Sequence, residues 1–298
     1  MIRAYRHYPY RIPARVKFFN VFRYFVRFPW AEEWIAQRIL HGSSFWKKTV
    51  PPIYLYQPGT FRRTVRNGIF LELDLSNLVD HAIFFNVPEE RGWKKLLSFS
   101  KPDAVVFDIG ANIGFLTLSF ASLCDKGSVH AFEPGRKNFE RLQTNLALNH
   151  FSNITAYRVA VGERAGPARL YEMYAFNTGA NRILKEGVVN QSENVSVETL
   201  DGMATSLHLH RLDILKVDVE GYEWFVLRGG EKTIRRFKPI LFIELADDNL
   251  KHHDLSANDV IQLIEQMNYS IVEASTLKPL NLTGKIHTDI LCFPNQEG

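Results

Sequence analysis

The chain has 298 residues, 46% hydrophobic and 23% charged, with a net charge of +4. This is the composition of a globular protein with a sizeable core, and it excludes a wholly disordered chain. Two cysteines, with no C-x-x-C or His-rich pattern, exclude a disulfide framework and a zinc-type site, so no metal is expected.

The charge is unevenly distributed. Residues 1–66 carry 13 Lys and Arg against two acids, Glu32 and Glu33, whereas the remainder holds 23 basic and 30 acidic residues. A basic arm therefore precedes an acidic body, and the chain reads as an N-terminal helical appendage and linker over residues 1–60 and a catalytic domain over 61–298. No run is long and apolar enough to span a bilayer. Arg15, Lys17, Arg23 and Arg27 interrupt any signal-like stretch, so a cytoplasmic location is expected. Ala14 to Phe28 fits a helix with Phe18, Phe19, Phe22 and Phe25 on one face, and Ala31 to Leu40 a second. These helices can pack on the body or on a second subunit, which is the expectation, or seat on the inner face of an anionic membrane. No nucleic-acid signature is present.

Pro51, Pro52 and Pro58 mark a linker. Asn67-Gly68 predicts a hairpin within Thr64 to Leu75. Asn77 to Phe85 and Pro88 to Phe99 read as helices, with Glu89, Glu90 and Trp93 expected at the surface. Ala104 to Asp108 is a β-branched, apolar strand, followed by a turn bearing Gly110, Asn112 and Gly114, a helix from Phe115 to about Cys124, and a strand from Val129 ending in Glu133. Arg136 to Asn149 is an amphipathic helix and Ile154 to Val161 the next strand. Gly162 to Met173 predicts a hairpin, Tyr174 to Asn190 a polar loop suited to covering a ligand, and Val195 to Leu200 a strand. Asp213 to Val219 is a core strand, Tyr222 to Phe237 its helix, and Pro239 to Leu245 a buried strand. Ser256 to Met267 is a helix with Ser256 and Asp259 as a capping box. Ile271 to Ala274 and Ile290 to Phe293 form a final antiparallel pair. Alternating strands and helices imply an α/β, Rossmann-like, mainly parallel seven-stranded sheet with helices on both faces.

Ligands of such sheets bind beyond the carboxyl ends of the strands, where Asp108, Glu133, Asp218, Glu220 and Glu244 collect. The turn is D-x-G-x-N-x-G and departs from the dinucleotide G-x-G-x-x-G. A carboxylate before the first glycine repels a pyrophosphate and suits a ligand with a cationic tail, whereas an acid ending the next strand suits ribose hydroxyls. S-adenosylmethionine (SAM) has both features and NAD does not. Asp108, Gly110, Asn112, Gly114 and Glu133 are therefore the candidate cofactor-binding residues. Asp218 and Glu220, two apart on an extended strand end, are expected on one side and are the candidate catalytic pair. They could take a proton from a hydroxyl acceptor, hold a divalent cation, or organise the turn at Gly221. The pair His252-His253 reads as a solvated loop.

DIGANIG, FEP followed by Asn138, LKVDVEGYEWFVLRGGE and ILFIEL together resemble the FkbM family of SAM-dependent methyltransferases over about Phe70 to Leu245. The resemblance implies a class I methyltransferase fold and O-methylation of a sugar, glycan or natural-product acceptor. Two alternatives are transfer to a nitrogen or lipid-linked acceptor, and a non-catalytic scaffold of the same fold.

Overall fold

The structure is a computed structural model that describes residues 14–42, 44–85, 92–174, 176–184 and 191–295. The first twelve residues, Glu89, Glu90, the start of the Pro88 helix and parts of the Tyr174 to Asn190 loop lie outside that set. The chain divides into two compact units, Met1–Glu89 with Tyr174–Gly179, and Glu90–Met173 with Ala180–Gly298.

In the first unit, helices α1 (Ala14–Phe25) and α2 (Pro29–Leu40) precede the hairpin of β1 (Phe61–Arg66) and β2 (Ile69–Asp74) and helix α3 (Leu78–Phe84). Asn67 and Gly68 both take positive φ, as a tight hairpin turn requires. Asn77 caps α3 by accepting from the Val79 N–H at 3.0 Å. The prolines at 51 and 52 stand beside short 3₁₀ turns, and Leu55 and Tyr56 after them are buried.

The second unit is built on a sheet. Helix α4 (Trp93–Ser98) leads into β3 (Val105–Ile109), α5 (Phe115–Leu123), β4 (Ser128–Phe132), α6 (Arg136–Ala147) and β5 (Ile154–Tyr157). Then come β6 (Ala160–Val161), β7 (Gly166–Tyr171), β8 (Arg182–Ile183), β9 (Ser192–Glu198), α7 (Leu200–Ser206) and β10 (Ile214–Val217). Helices α8 (Glu223–Gly229) and α9 (Glu231–Phe237), strand β11 (Ile240–Ala246), α10 (Asp247–Leu250), α11 (Ala257–Gln266), β12 (Tyr269–Glu273) and β13 (His287–Pro294) complete it. Seven strands pair in the order β12-β13-β11-β10-β3-β4-β5, and only β13 runs against the rest. Alternate residues of each strand feed opposite cores. Phe107, Leu215, Leu241 and Ile243 pack into one, and Val106, Ile214, Phe242 and Leu291 into the other. Both faces are therefore dry, as a mainly parallel sheet requires.

Three expectations change. No hairpin forms over residues 162–173. Instead β7 pairs antiparallel with β9 and β8, and β6 pairs parallel with β9, giving a separate four-stranded sheet. The stretch Ile154 to Val161 divides into β5 and β6, which belong to different sheets. The helix from Tyr222 to Phe237 breaks at Gly229-Gly230, where an added Cβ would meet backbone of Gly162 or the side chain of Leu200. The capping box forms as read, with Ser256 N and Oγ both donating to Asp259 Oδ2.

Candidate active site

The parallel strands β3, β4, β10 and β11 deliver five carboxylates to one edge. Asp108 is fully buried near the end of β3. Its Oδ2 accepts from Thr117 Oγ1 at 2.6 Å, and its Oδ1 pairs with Lys216 Nζ at 3.1 Å. Both oxygens are thus engaged inside the protein, so Asp108 braces the turn and presents no open carboxylate to a ligand.

The turn itself needs glycine. Gly110 has φ +79°, and a Cβ there would lie 1.9 Å from the Asp218 carbonyl oxygen. Gly114 has φ +89° and stands against Leu142. Asn112 is also left-handed, at φ +51°. This conformation is uncommon for non-glycine residues, with Asn among the tolerant exceptions. Glu133 closes the turn from β4: its Oε2 accepts from the Asn112 N–H at 2.9 Å and its Oε1 from the Gly135 N–H at 3.0 Å. Burial outweighs these bonds and pushes the Glu133 carboxyl up to about 7. Asn138, on α6, also bonds to Glu133. The Oδ1 of Asn112 is buried with no hydrogen-bond partner. A turn that leaves an acceptor unpaired beside a buried carboxyl fits a ligand rich in hydroxyl and amine donors.

Asp218, Glu220 and Glu244 offer carboxylate oxygens within 4.8 Å of one another. Strand alternation is not what brings the first two together. β10 ends at Val217, and the chain then turns through Glu220 at φ +57° and Gly221 at φ +105°. Glu220 is held in that strained conformation by Asn249 Nδ2, which donates to its Oε2 at 2.8 Å, with Arg182 Nη2 at 3.6 Å. Enclosure, then Glu244 and Glu220, raise the Asp218 carboxyl well above the usual carboxylate range, against the opposing pull of Lys216. Glu244 in turn lies 3.8 Å from His287 Nε2, and its hydrogen bond raises that imidazole.

Sequence reasoning missed two residues of this edge. Lys216 was visible only as a letter of the K-x-D-x-E-G block. Its ammonium is buried and donates to the Gly110 carbonyl at 2.7 Å, besides pairing with Asp108 and lying 3.8 Å from Asp218. Glu223 accepts from the N–H groups of Val219 and Gly221 on its Oε1, fixing the turn that carries Glu220. The signal for it was an acid two residues after a glycine at a helix start. His253 is not solvated: it is buried, bonds to the Ile183 carbonyl at 2.9 Å and packs edge-on to Phe225. Tyr222, Phe225 and His253 line a groove of about 500 Å³ with Ile183, Leu184 and Arg169.

Residues 108–271, more than half of the chain and all the carboxylates of this edge, match the family described as the Methyltransferase FkbM domain. The chain belongs to the FkbM methyltransferase family. The matched residues contain the Gly110 turn and strands β4, β5, β10 and β11 of the seven-stranded α/β sheet. Among curated relatives, the chain is 32% identical to the AMB antimetabolite synthetase AmbE of Pseudomonas aeruginosa over 43% of its own length, and spans only 8% of that protein. It is 26% identical to the 2-O-methyltransferase NoeI of Sinorhizobium fredii, over 55% of this chain and 72% of that one. It is 25% identical to the hexuronic acid methyltransferase AglP of Haloferax volcanii, over 59% of this chain and 67% of that one.

Proposed function

We propose that this FkbM methyltransferase transfers a methyl group from SAM to a hydroxyl of a sugar, glycan or natural-product acceptor. The observation that carries the reading is the clustering of the Asp218, Glu220 and Glu244 carboxylates beyond the ends of β10 and β11, an arrangement that raises the Asp218 carboxyl. The names of the Sinorhizobium and Haloferax relatives support oxygen as the acceptor atom and a sugar as its bearer.

The cofactor is SAM, which when bound supplies an electrophilic methyl group on a sulfonium. Gly110 and Gly114 give the turn its shape, and Asp108 holds it through Lys216 and Thr117. Glu133 and Asn112 would accept hydrogen bonds from the cofactor's hydroxyl and amine groups, Glu133 in addition to the turn N–H groups that its two oxygens already hold. Asp218 takes the proton of the acceptor hydroxyl, and its raised proton affinity suits that task near neutral pH. Glu220, fixed by Asn249 and Arg182, orients the acceptor. Residues 61–298 are the proposed extent of the methyltransferase domain.

Calorimetric titration tests the cofactor half. SAM and S-adenosylhomocysteine should bind the wild type and bind Glu133→Ala more weakly. Binding of NAD alone would overturn the assignment. With SAM binding secured, transfer of a labelled methyl group to hydroxylated glycans tests the second half. Transfer confined to amine acceptors would replace the O-methylation reading.

A further inference from the structure

Helix α1 is packed inside out. Its polar side faces the protein: Asn20 is fully buried and donates to Tyr54 Oη at 2.9 Å, and Arg23 donates to the Lys48 carbonyl at 2.6 Å. The Arg27 guanidinium lies over the rings of Tyr24 and Tyr56. The opposite stripe, Phe18, Phe22 and Phe25, stands in water at 64%, 64% and 66% exposure. Phe19, Phe28 and Trp30 extend it. A helix of a globular protein turns such a stripe inward. Among the described residues, the second unit exposes only Leu123, Leu277 and Leu282 as large apolar side chains, and the others lie in the first unit. An apolar surface gathered in this way marks a place of contact.

Charge selects the partner. Of the first 66 residues, only Glu32 and Glu33 are acidic. Both are in ion pairs, Glu32 with Arg62 at 2.7 Å and Glu33 with Arg66 at 2.9 Å. Arg38 lies over the Trp34 ring, and the exposed Lys47 and Lys48 follow Phe45 and Trp46. A second copy of the chain would bring the same strong positive charge against itself. A nucleic acid calls for cations interleaved with stacking rings along a groove, whereas here Phe18, Phe22 and Phe25 form one apolar stripe and the exposed Lys47 and Lys48 lie elsewhere in the same unit. An aromatic stripe in a unit rich in basic residues matches the headgroup boundary of an anionic bilayer.

We infer that α1 and the aromatic side chains around it seat the protein on an anionic lipid surface, with Phe18, Phe22 and Phe25 among the acyl chains. Among the described residues no helix is long and apolar enough to cross a membrane, so α1 is placed along the surface. The inference is independent of the methyltransferase chemistry.

The test is co-sedimentation of the full chain with sucrose-loaded vesicles of phosphatidylcholine, with and without phosphatidylglycerol. The wild type should pellet with the anionic vesicles and be released by salt. The variant Phe18→Ser/Phe22→Ser/Phe25→Ser changes only exposed positions, so circular dichroism should show an unchanged fold while binding falls at least about tenfold. Lys47→Glu/Lys48→Glu should lose the preference for phosphatidylglycerol. A wild type left in the supernatant by both vesicles overturns the inference, as does undiminished binding of the serine variant. A dimer that the serine substitutions dissolve, or an RNA complex that they abolish, with vesicle binding intact, would assign the surface to that partner instead.

Discussion

Lys216 and Asp108 sit directly opposite one another on the adjacent parallel strands β10 and β3, with Nζ 3.1 Å from Oδ1, both side chains almost wholly enclosed. Burial alone would pull the ammonium down, but Asp108 and then Asp218 outweigh it and hold it raised. The pair links the cofactor turn to the catalytic edge, since the same ammonium also holds the Gly110 carbonyl. Lys216→Met leaves Asp108 as an uncompensated buried charge and should cost about 3–5 kcal/mol in urea unfolding. Adding Asp108→Asn should restore a large part of that loss. A double variant no more stable than the single one would show that the pair is not coupled.

Gly110 and Gly68 separate steric conflict from backbone strain. Both have φ +79°, but a Cβ at Gly110 meets the Asp218 carbonyl oxygen while one at Gly68 meets nothing within 4 Å. Gly68→Ala should cost about 1 kcal/mol, the penalty of the left-handed conformation alone. Gly110→Ala should cost clearly more and abolish SAM binding. Equal melting temperatures for the two variants would mean that the turn and the β10 edge yield freely.

Stability should fall between about pH 4.5 and 7. Burial raises the Glu223 carboxyl from 4.5 to about 7, and Glu133 likewise. Across that window the unfolded chain has released protons that the folded chain keeps, so raising the pH favours unfolding, and the loss is complete above about pH 7. Oε1 of Glu223 takes both turn N–H groups and Oε2 has no partner, so Gln can replace it with its geometry kept. Glu223→Gln should flatten the profile, with about 3 kcal/mol less lost between pH 4.5 and 8. An unchanged slope in denaturant titrations at the two pH values would count against a protonated Glu223.

Asp218→Asn should lower kcat about 10²–10⁴-fold, the range for losing a general base, with SAM affinity kept. In the wild type kcat should rise with pH as Asp218 loses its proton. Glu220→Gln can still accept from Asn249 and should act mainly on KM. Activity should survive exhaustive chelation, because the proposed proton transfer uses no metal. Loss of turnover on chelation, restored by a divalent cation, would reassign Asp218, Glu220 and Glu244 as ligands.

The features legible in the sequence were those carried by near neighbours. Asn67-Gly68 gave its hairpin, Ser256 and Asp259 their cap, and Gly110, Asn112 and Gly114 their turn, because each depends on residues a few positions away. The features that were not legible depended on distant partners. Lys216 looks like any strand lysine until β3 brings Asp108 beside it, and the partners of β7 lie on β8, inside the segment that reads as a loop, and on β9 beyond it. His253 looks like a solvated loop residue because nothing local shows that Ile183 covers it. Asp108 looks like an open carboxylate for the same reason, since its two partners, Thr117 and Lys216, arrive from α5 and β10.

The chain leaves its sheet-bearing unit after Met173, joins the first unit for six residues, and returns at Ala180. There Phe176 O accepts from Leu78 N at 2.8 Å, and Thr178 Oγ1 accepts from Asn77 Nδ2 at 2.9 Å. The first unit is therefore stitched from two separate stretches of sequence, and one cut cannot lift it out whole. A protease that nicks the chain between Glu89 and Gly92 should leave two fragments that travel together through gel filtration until denaturant parts them. Grafted onto another protein, residues 1–89 would arrive without their own clasp.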